Sequence, residues 1–237
     1  MKKYELTAEF IEKWGKKLFR IKALIGFGSV EAGELGGYVE KEDNLAQNGN
    51  AWVFDDAEVF DDARVYGNAM VFDDARVYGN ARVYGNARVY GNARVYGNAR
   101  VYGNAWVFDD ARVYGNAEVY GNARVYGNAE VYGNARVCGN ARVCGNARVY
   151  DDADYLLIGR IGSRFSFTTF FKNKDKGITV SCGCFLGTIA EFRAKVTDTH
   201  GNNKHAKMYN LAADMAELQI LGEEHFDKLN TNKSEPF

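Results

Sequence analysis

The chain has 237 residues, of which 46% are hydrophobic, and its formal net charge is −1. This balance argues against a strongly basic nucleic-acid-binding surface, and no apolar run is long enough to cross a membrane. The N-terminus is charged and lacks the apolar core of a signal peptide, and the four cysteines do not form a disulfide pattern. These features predict a cytoplasmic protein.

Residues 1–50 are predicted to form a cap. Thr7 is a suitable N-cap for a helix that runs to about Gly15 and places Phe10, Ile11 and Trp14 on one side. The segments that follow predict strands at Leu18–Leu24 and Tyr38–Glu40 and glycine-rich turns at Gly26–Gly28 and Gly33–Gly37. A cap is expected because the open end of a parallel β-helix exposes unpaired backbone groups.

Residues 51–152 consist of one six-residue unit, A-x-V-x-[GD]-[ND], repeated 17 times without an insertion. Alanine and valine lie two positions apart, so their side chains point to the same side of a strand. Gly-Asn and Asp-Asp pairs favour a corner because these residues tolerate left-handed backbone angles. A strand and a corner every six residues predict a triangular coil of about 18 residues, with the alanines and valines inside. The prism would be roughly 27 Å long.

Residues 153–237 are predicted to form a small α+β domain. Its first segment is expected to continue the last coil, and two strands and two helices follow, with Thr188 as a helix cap. A disordered tail ends the chain. These predicted elements are Asp154–Ile161, the strands Phe165–Lys172 and Gly177–Cys184, the helices Ile189–Val196 and His205–Leu221, and the tail Asn230–Phe237.

Several strings outside the repeats resemble a group of bacterial and prophage-encoded hexapeptide-repeat proteins, some of which are labelled transferases. They are LFRIKAL at residues 18–24, AGELGGYVE at 32–40 and NLAQ at 44–47. IGSR at 161–164, SCGCF at 181–185 and THG at 199–201 resemble a small end domain of phage-like proteins. The resemblance implies an all-β solenoid, a left-handed parallel β-helix that is often trimeric. It implies no particular activity, because fold does not determine function.

The side chains that point outward form ladders with an 18-residue spacing on three faces of the predicted prism. The first face carries Trp52, Met70, Arg88, Trp106, Arg124 and Arg142, beside a column of Phe54, Phe72, Tyr90, Phe108 and Tyr126. The second carries Glu58, Arg76, Arg94, Arg112, Glu130 and Arg148, beside Phe60, Tyr78, Tyr96, Tyr114, Tyr132 and Tyr150. The third carries Arg64, Arg82, Arg100, Glu118 and Arg136, beside Tyr66, Tyr84, Tyr102 and Tyr120.

These ladders allow three interpretations. Stacked rings and Glu–Arg pairs would stabilise the sheets, although each exposed ion pair contributes only about 0–1 kcal/mol. An exposed aromatic strip would instead mark a homo-oligomer interface, with a trimer favoured, through Trp52, Phe54, Trp106 and Phe108. Arginine beside tyrosine would suit a small anionic ligand, and the segment least interrupted by acidic residues is Arg82, Arg100, Tyr84 and Tyr102.

Enzymatic activity is not favoured by the repeats. The hexapeptide acyltransferases that this prism resembles use a histidine as general base, and residues 51–152 contain neither a histidine nor an inserted loop. A transferase would have to work at a subunit interface with His200 or His205. No catalytic residue is therefore assigned.

No metal or cofactor is predicted. Cys182 and Cys184 with His200 and His205 would offer a zinc set, but C-x-C…H-x4-H is not a standard finger spacing. Buried structural cysteines are the commoner alternative.

The sequence thus favours a non-enzymatic scaffold or binding protein, related to prophages, which presents arginine and tyrosine ladders on a β-helix. The alternatives are a hexapeptide-type acyltransferase at a subunit interface and a protein that sequesters a nucleotide-like anion. A protein partner is expected under the first interpretation and a small anionic ligand under the last.

Overall fold

Three strands precede the repeats in the structure, a computed structural model that describes residues 1–224. They are β1 (Tyr4–Lys13), β2 (Lys16–Ala23) and β3 (Leu35–Val39). β1 pairs with β2 and β2 with β3, both in antiparallel fashion. β3 then pairs in parallel with a strand of the repeat region, so the N-terminal segment extends one sheet of the prism.

The helix predicted from Thr7 to about Gly15 is wrong, because this segment lies in the hairpin of β1 and β2. Trp14 and Gly15 adopt φ values of 54° and 73°, which suit a two-residue turn between paired strands. The Phe10 ring packs across the strands against Phe19, at 6.0 Å between centroids. The aromatic spacing that favoured a helix therefore serves contacts with residues distant in the sequence.

Gly36 and Gly37 belong to a strand rather than to the predicted turn. A Cβ atom on Gly36 would lie 2.5 Å from the carbonyl oxygen of Val53 and 2.7 Å from Cζ2 of Trp52. Glycine is needed here because the backbone of β3 approaches the first coil closely. The strands predicted at Leu18–Leu24 and Tyr38–Glu40 are present with shifted ends.

The repeat region forms the predicted parallel β-solenoid, with about six turns. It contains seventeen two-residue strands, each built from the outward residue and the valine of one unit. In chain order these are β4 (Trp52–Val53), β5 (Glu58–Val59), β6 (Arg64–Val65), β7 (Met70–Val71), β8 (Arg76–Val77), β9 (Arg82–Val83), β10 (Arg88–Val89), β11 (Arg94–Val95), β12 (Arg100–Val101), β13 (Trp106–Val107), β14 (Arg112–Val113), β15 (Glu118–Val119), β16 (Arg124–Val125), β17 (Glu130–Val131), β18 (Arg136–Val137), β19 (Arg142–Val143) and β20 (Arg148–Val149).

The three predicted faces of the prism are confirmed by the sheet order. β4, β7, β10, β13, β16 and β19 form the first face, and β6, β9, β12, β15 and β18 form the third. β5, β8, β11, β14, β17 and β20 form the second, which β3 extends. Every repeat alanine and valine from Ala51 to Val149 is at most 1% exposed, so these side chains fill the interior as predicted.

The corners are stabilised by side chains that bond from coil to coil. Asparagine side chains form a continuous amide ladder at the corner that precedes the first face, with Nδ2···Oδ1 distances of 3.1 to 3.3 Å. Where Asp73 replaces the corner glycine it adopts a φ of 56°, and its Oδ2 accepts the Gly91 N–H at 2.8 Å. Such a bond offsets part of the strain of a left-handed non-glycine residue. The members of the asparagine amide ladder are Asn50, Asn68, Asn86, Asn104, Asn122 and Asn140.

The first coil presents carbonyl groups that have no preceding coil to bond, and the N-terminal segment supplies the donors. Lys3 Nζ donates to the Ala51 carbonyl at 2.8 Å, and Asn44 Nδ2 donates to that of Ala63 at 2.8 Å. On the second face the Tyr38 N–H of β3 donates to the Ala57 carbonyl. Burial lowers the pKa of Lys3 to about 8. The open end of the solenoid is thus closed by hydrogen bonds on each face.

The last coil presents N–H groups, and the residues that follow it supply the acceptors. Asp152 accepts the Arg136 N–H at 2.8 Å, and the hydroxyl oxygen of Thr169 accepts the Arg142 N–H at 3.0 Å. The Phe171 side chain is fully buried and packs in the same core cluster as the prism interior. Both ends of the solenoid are therefore covered by the chain itself.

The C-terminal region contains a four-stranded antiparallel sheet and two helices. Its elements are β21 (Tyr155–Ile161), β22 (Ser166–Lys172), β23 (Ile178–Cys182), β24 (Phe185–Thr188), α1 (Ile189–His200) and α2 (Lys204–Leu221). Thr188 caps α1, as predicted. The prediction that residues 154–161 continue the last coil is wrong, because β21 pairs with β22 in an antiparallel sheet. The predicted tail at residues 230–237 lies outside the described residues.

Within residues 1–224, no helix is both long and apolar enough to span a membrane.

Candidate functional site

The third face carries a run of arginines on neighbouring coils. Arg64, Arg82 and Arg100 are aligned residue by residue in β6, β9 and β12. Neighbouring strands lie about 4.8 Å apart, so these like charges repel one another unless something neutralises them. The chain itself neutralises only part of this run.

The side chains of Arg100 and Tyr102 both contact Glu118 in the next coil. Arg100 Nη1 lies 3.4 Å from Glu118 Oε1, and the Tyr102 hydroxyl donates to Glu118 Oε2 at 3.0 Å. Burial, and then this hydrogen bond to the carboxylate, raise the pKa of Tyr102. Both predicted ligand-binding residues thus already have partners within the chain.

Arg64 and Arg82 differ from Arg100 in this respect. Both side chains are exposed. Among residues 1–224, neither forms a salt bridge or a side-chain hydrogen bond, although 17 salt bridges occur elsewhere in this part of the chain. Two neighbouring guanidinium groups therefore remain available to an anion at the N-terminal end of the third face.

A cavity of about 430 Å³ lies beside these two arginines. It is formed where the segment that follows β3 runs along the third face. A second cavity, of about 240 Å³, also borders both arginines. The larger cavity is lined by Glu42, Asp43, Leu45, Ala46, Gln47, Arg64, Val65, Tyr66 and Arg82.

Tyr66 is the first ring of the third-face aromatic column. Its ring stacks on Tyr84 at 4.8 Å, and no other aromatic contact of Tyr66 occurs in the described part of the chain. Tyr84 is stacked on both sides, by Tyr66 and by Tyr102 at 4.9 Å. A ligand ring could stack on Tyr66 but has no open ring face at Tyr84.

The structure therefore groups Arg82 with two residues outside the predicted ligand-binding set, Arg64 and Tyr66. The signal for Tyr66 was present in the sequence. One coil earlier, at the position where a stacking ring would stand, the chain has Asn48. The contribution of residues 42–47 could not be found this way, because it depends on how the cap folds against the prism.

The predicted interface strip is not a continuous exposed surface. Trp52 is fully buried against Tyr4 and Phe27, so its assignment to an exposed interface is wrong. Trp106 lies between the guanidinium groups of Arg88 and Arg124, at 5.4 and 4.6 Å from the ring centroid. Phe54 and Phe108 are half-buried in stacked columns. Self-association through these residues stays a prediction.

The tyrosine ladders predict a loss of stability at alkaline pH. Burial, as the largest cause, raises the pKa of Tyr114 and of Tyr126 to about 12, whereas an unfolded tyrosine titrates near 10. Between these values the unfolded chain binds fewer protons than the folded one, so the free energy of unfolding falls as pH rises. Lys3 acts in the opposite sense, because its pKa is lowered to about 8 while the unfolded lysine holds its proton up to about pH 10.5, so we expect the urea midpoint to fall only between about pH 10.5 and 12. The double variant Tyr114→Phe/Tyr126→Phe should lose tyrosinate absorbance near pH 12 and none near pH 10, and a loss near pH 10 would contradict the raised pKa values of these two rings.

The C-terminal region brings the predicted cysteines and one histidine to a second place. Cys182, Cys184 and His200 line a cavity of about 220 Å³ together with Arg164 and Tyr209. The Thr168 hydroxyl lies 3.2 Å from Cys182 Sγ, and the rings of His200 and His205 are 5.8 Å apart. Within residues 1–224, no three histidine, cysteine or acidic side chains are grouped closely enough to hold a metal ion.

Fold and ladders together define this chain as a β-solenoid repeat protein. Its repeats match a family model described as the YdcK beta solenoid repeat. The matched segments lie in the repeat region, except that the last one ends a residue beyond it, and they cover less than half of the chain. They are residues 63–79, 75–91, 81–95, 87–99, 93–108, 111–127, 117–133 and 141–153. No sequence among curated proteins matches the chain.

Proposed function

We propose that this chain is a non-enzymatic binding protein that holds a nucleotide-like anion at the N-terminal end of its third face. The observation that carries the proposal is the cavity that brings together Arg64, Arg82 and the end ring of the tyrosine column, Tyr66. The solenoid would act as a rigid scaffold for this site.

Each group in the cavity suits one part of such a ligand. Guanidinium groups bind phosphate oxygens in a forked geometry, and two of them on adjacent coils suit a single phosphate. An aromatic ring with one open side can stack on a base. The carboxylates of Glu42 and Asp43 would repel a second anionic group but can accept hydrogen bonds from sugar hydroxyls. Glu42 is partly neutralised by Lys2, at 2.8 Å.

Titration calorimetry with nucleoside monophosphates tests the proposal. We expect binding to the wild-type chain, and we expect the double variant Arg64→Ala/Arg82→Ala to bind at least about tenfold more weakly, since each charged hydrogen bond contributes roughly 1.5–3 kcal/mol. Tyr66→Ala should lower the affinity for nucleoside monophosphates but leave the weaker binding of inorganic phosphate unchanged.

Arg88→Ala is the matched control. Arg88 is an exposed arginine on the first face, away from the cavity, so its loss should leave nucleotide affinity unchanged. The proposal fails if no nucleoside monophosphate binds, or if Arg88→Ala weakens binding as much as the double variant.

A transferase that works at a subunit interface is the second candidate. The observation that favours it is the cavity that His200, Cys182 and Cys184 line together. A transferase would lose turnover in His200→Ala while keeping nucleotide affinity, whereas a binding protein would show no turnover in the wild-type chain or in the variant.

A prophage origin belongs to the main proposal and is supported by the resemblance of residues 161–164, 181–185 and 199–201 to phage-like end domains.

A further inference from the structure

Helix α2 is apolar on two opposite faces. One face is buried against α1 and the C-terminal sheet and includes Ala206, Tyr209, Ala213, Ala216 and Ile220. The opposite face is exposed to solvent. It carries Met208 at 40% exposure, Leu211 at 64%, Met215 at 56% and Leu218 at 46%. A single exposed leucine is ordinary, but four large apolar side chains in one row mark an interaction surface.

The spacing of these four residues identifies the kind of partner. Met208, Leu211, Met215 and Leu218 are separated by three, four and three positions. This is the spacing of the seam of a coiled coil, in which a second helix packs alongside. The seam extends about 15 Å along α2, which is too short for an isolated helix pair but is carried here by a folded domain.

The charges beside the seam select the partner. Lys207 and Asp214 each precede a methionine of the seam and therefore flank it on one side. In an antiparallel pair of identical helices these flanks face each other, so Lys207 would meet Asp214 of the partner subunit twice across the two-fold axis. In a parallel pair the flanks would face the uncharged positions of Ala212 and Gln219 instead.

Both flanking side chains are available for this contact. Lys207 is exposed, and within the described residues its ammonium group forms no salt bridge. Asp214 binds Arg193 through Oδ1 at 2.7 Å, and its side chain is 36% exposed. Its other carboxylate oxygen can accept a hydrogen bond from a second cation.

We propose that α2 is the self-association site of this protein and that two copies of the chain pair through it as an antiparallel, two-fold symmetric dimer. Met208 lies opposite Leu218 of the partner subunit, and Leu211 lies opposite Met215 of the partner subunit. This contact is separate from the nucleotide cavity, so either proposal can fail without the other.

Sedimentation equilibrium of the full chain tests the contact. We expect a concentration-dependent dimer, and we expect Leu211→Glu to weaken dimerisation at least about tenfold because it places two charges in the seam. Leu211 is 64% exposed in one chain, so the variant should keep the wild-type circular dichroism, and its melting temperature should equal that of the wild type at concentrations where both are monomeric. Asn202→Glu adds the same charge at an exposed loop position and should dimerise as the wild type does.

Disulfide formation tests the direction of the helices. Chains with Met208→Cys, mixed with chains carrying Leu218→Cys, should cross-link above the background of the wild-type cysteines, whereas each variant alone should not. A chain that stays monomeric at all concentrations, or a dimer that Leu211→Glu leaves intact, overturns the proposal. Cross-linking of either single variant alone overturns the antiparallel arrangement, and co-purification of a different protein on a monomeric chain overturns self-association.

Discussion

Replacing Trp52 by alanine is expected to lower the free energy of unfolding by about 3–5 kcal/mol, the usual range for a buried tryptophan. Trp52 is the largest of the fully buried side chains. It fills the junction between the N-terminal segment and the first coil, with Tyr4 at 6.0 Å and Phe27 at 5.3 Å between ring centroids. Gly36 lies directly against the indole and has no side chain that could fill the space.

Trp106→Ala is the matched control, since Trp106 stands on the same face in β13 and is only half-buried. Its loss removes contacts with two arginines and should cost about 1 kcal/mol, the order of exposed cation–π contacts. Urea unfolding followed by circular dichroism measures both variants. Equal losses would mean that the N-terminal segment does not seal the prism as described.

An aspartate in place of Val95 is expected to cost more than about 4 kcal/mol or to prevent folding. Val95 is fully buried in the middle of the prism, between Val77 and Val113 of the neighbouring coils. Only alanine and valine side chains surround this position on the inside, so the carboxylate would have neither water nor a hydrogen-bond donor.

At the adjacent position, residue 94, an aspartate is expected to be tolerated. Arg94 points outward, between Arg76 and Arg112 of the neighbouring coils. Arg94→Asp replaces two repulsive contacts with two attractive ones and should leave the stability unchanged or raise it by up to about 1 kcal/mol. The yield of soluble protein and the urea midpoint of the two variants measure the difference. Similar effects of Val95→Asp and Arg94→Asp would contradict the assignment of inside and outside positions.

The prism could be predicted from the sequence because each six-residue unit contains both the residues of its strand and the residues of its corner. Valine and alanine two apart determine the inside, and the six-residue period determines which residues share a face. The N-terminal segment has no such period. Whether residues 4–13 form a helix or a strand depends on their pairing with residues 16–23, and the turn that follows them packs through Trp14 on Phe60. Sequence spacing cannot supply those contacts.

The candidate site could likewise be predicted only where it depends on the repeats. Arg82 could be found from the ladder, because the third face has few acidic residues near it. Arg64 and Tyr66 were missed because their availability depends on where the ladder ends and on the segment at residues 42–47 that folds beside it. The burial of Trp52 was hidden for the same reason, since its neighbours come from the cap rather than from the repeats.

Because the register between neighbouring coils is 18 residues, the prism can be lengthened in fixed steps of one coil. Adding three repeats would move the C-terminal region away from the N-terminal cavity by about 4.8 Å and keep its orientation. Adding one repeat would instead turn that region by about 120° around the long axis. Gain or loss of whole repeats can thus change the distance and the angle between the N-terminal cavity and the exposed apolar face of α2 without altering a residue of either.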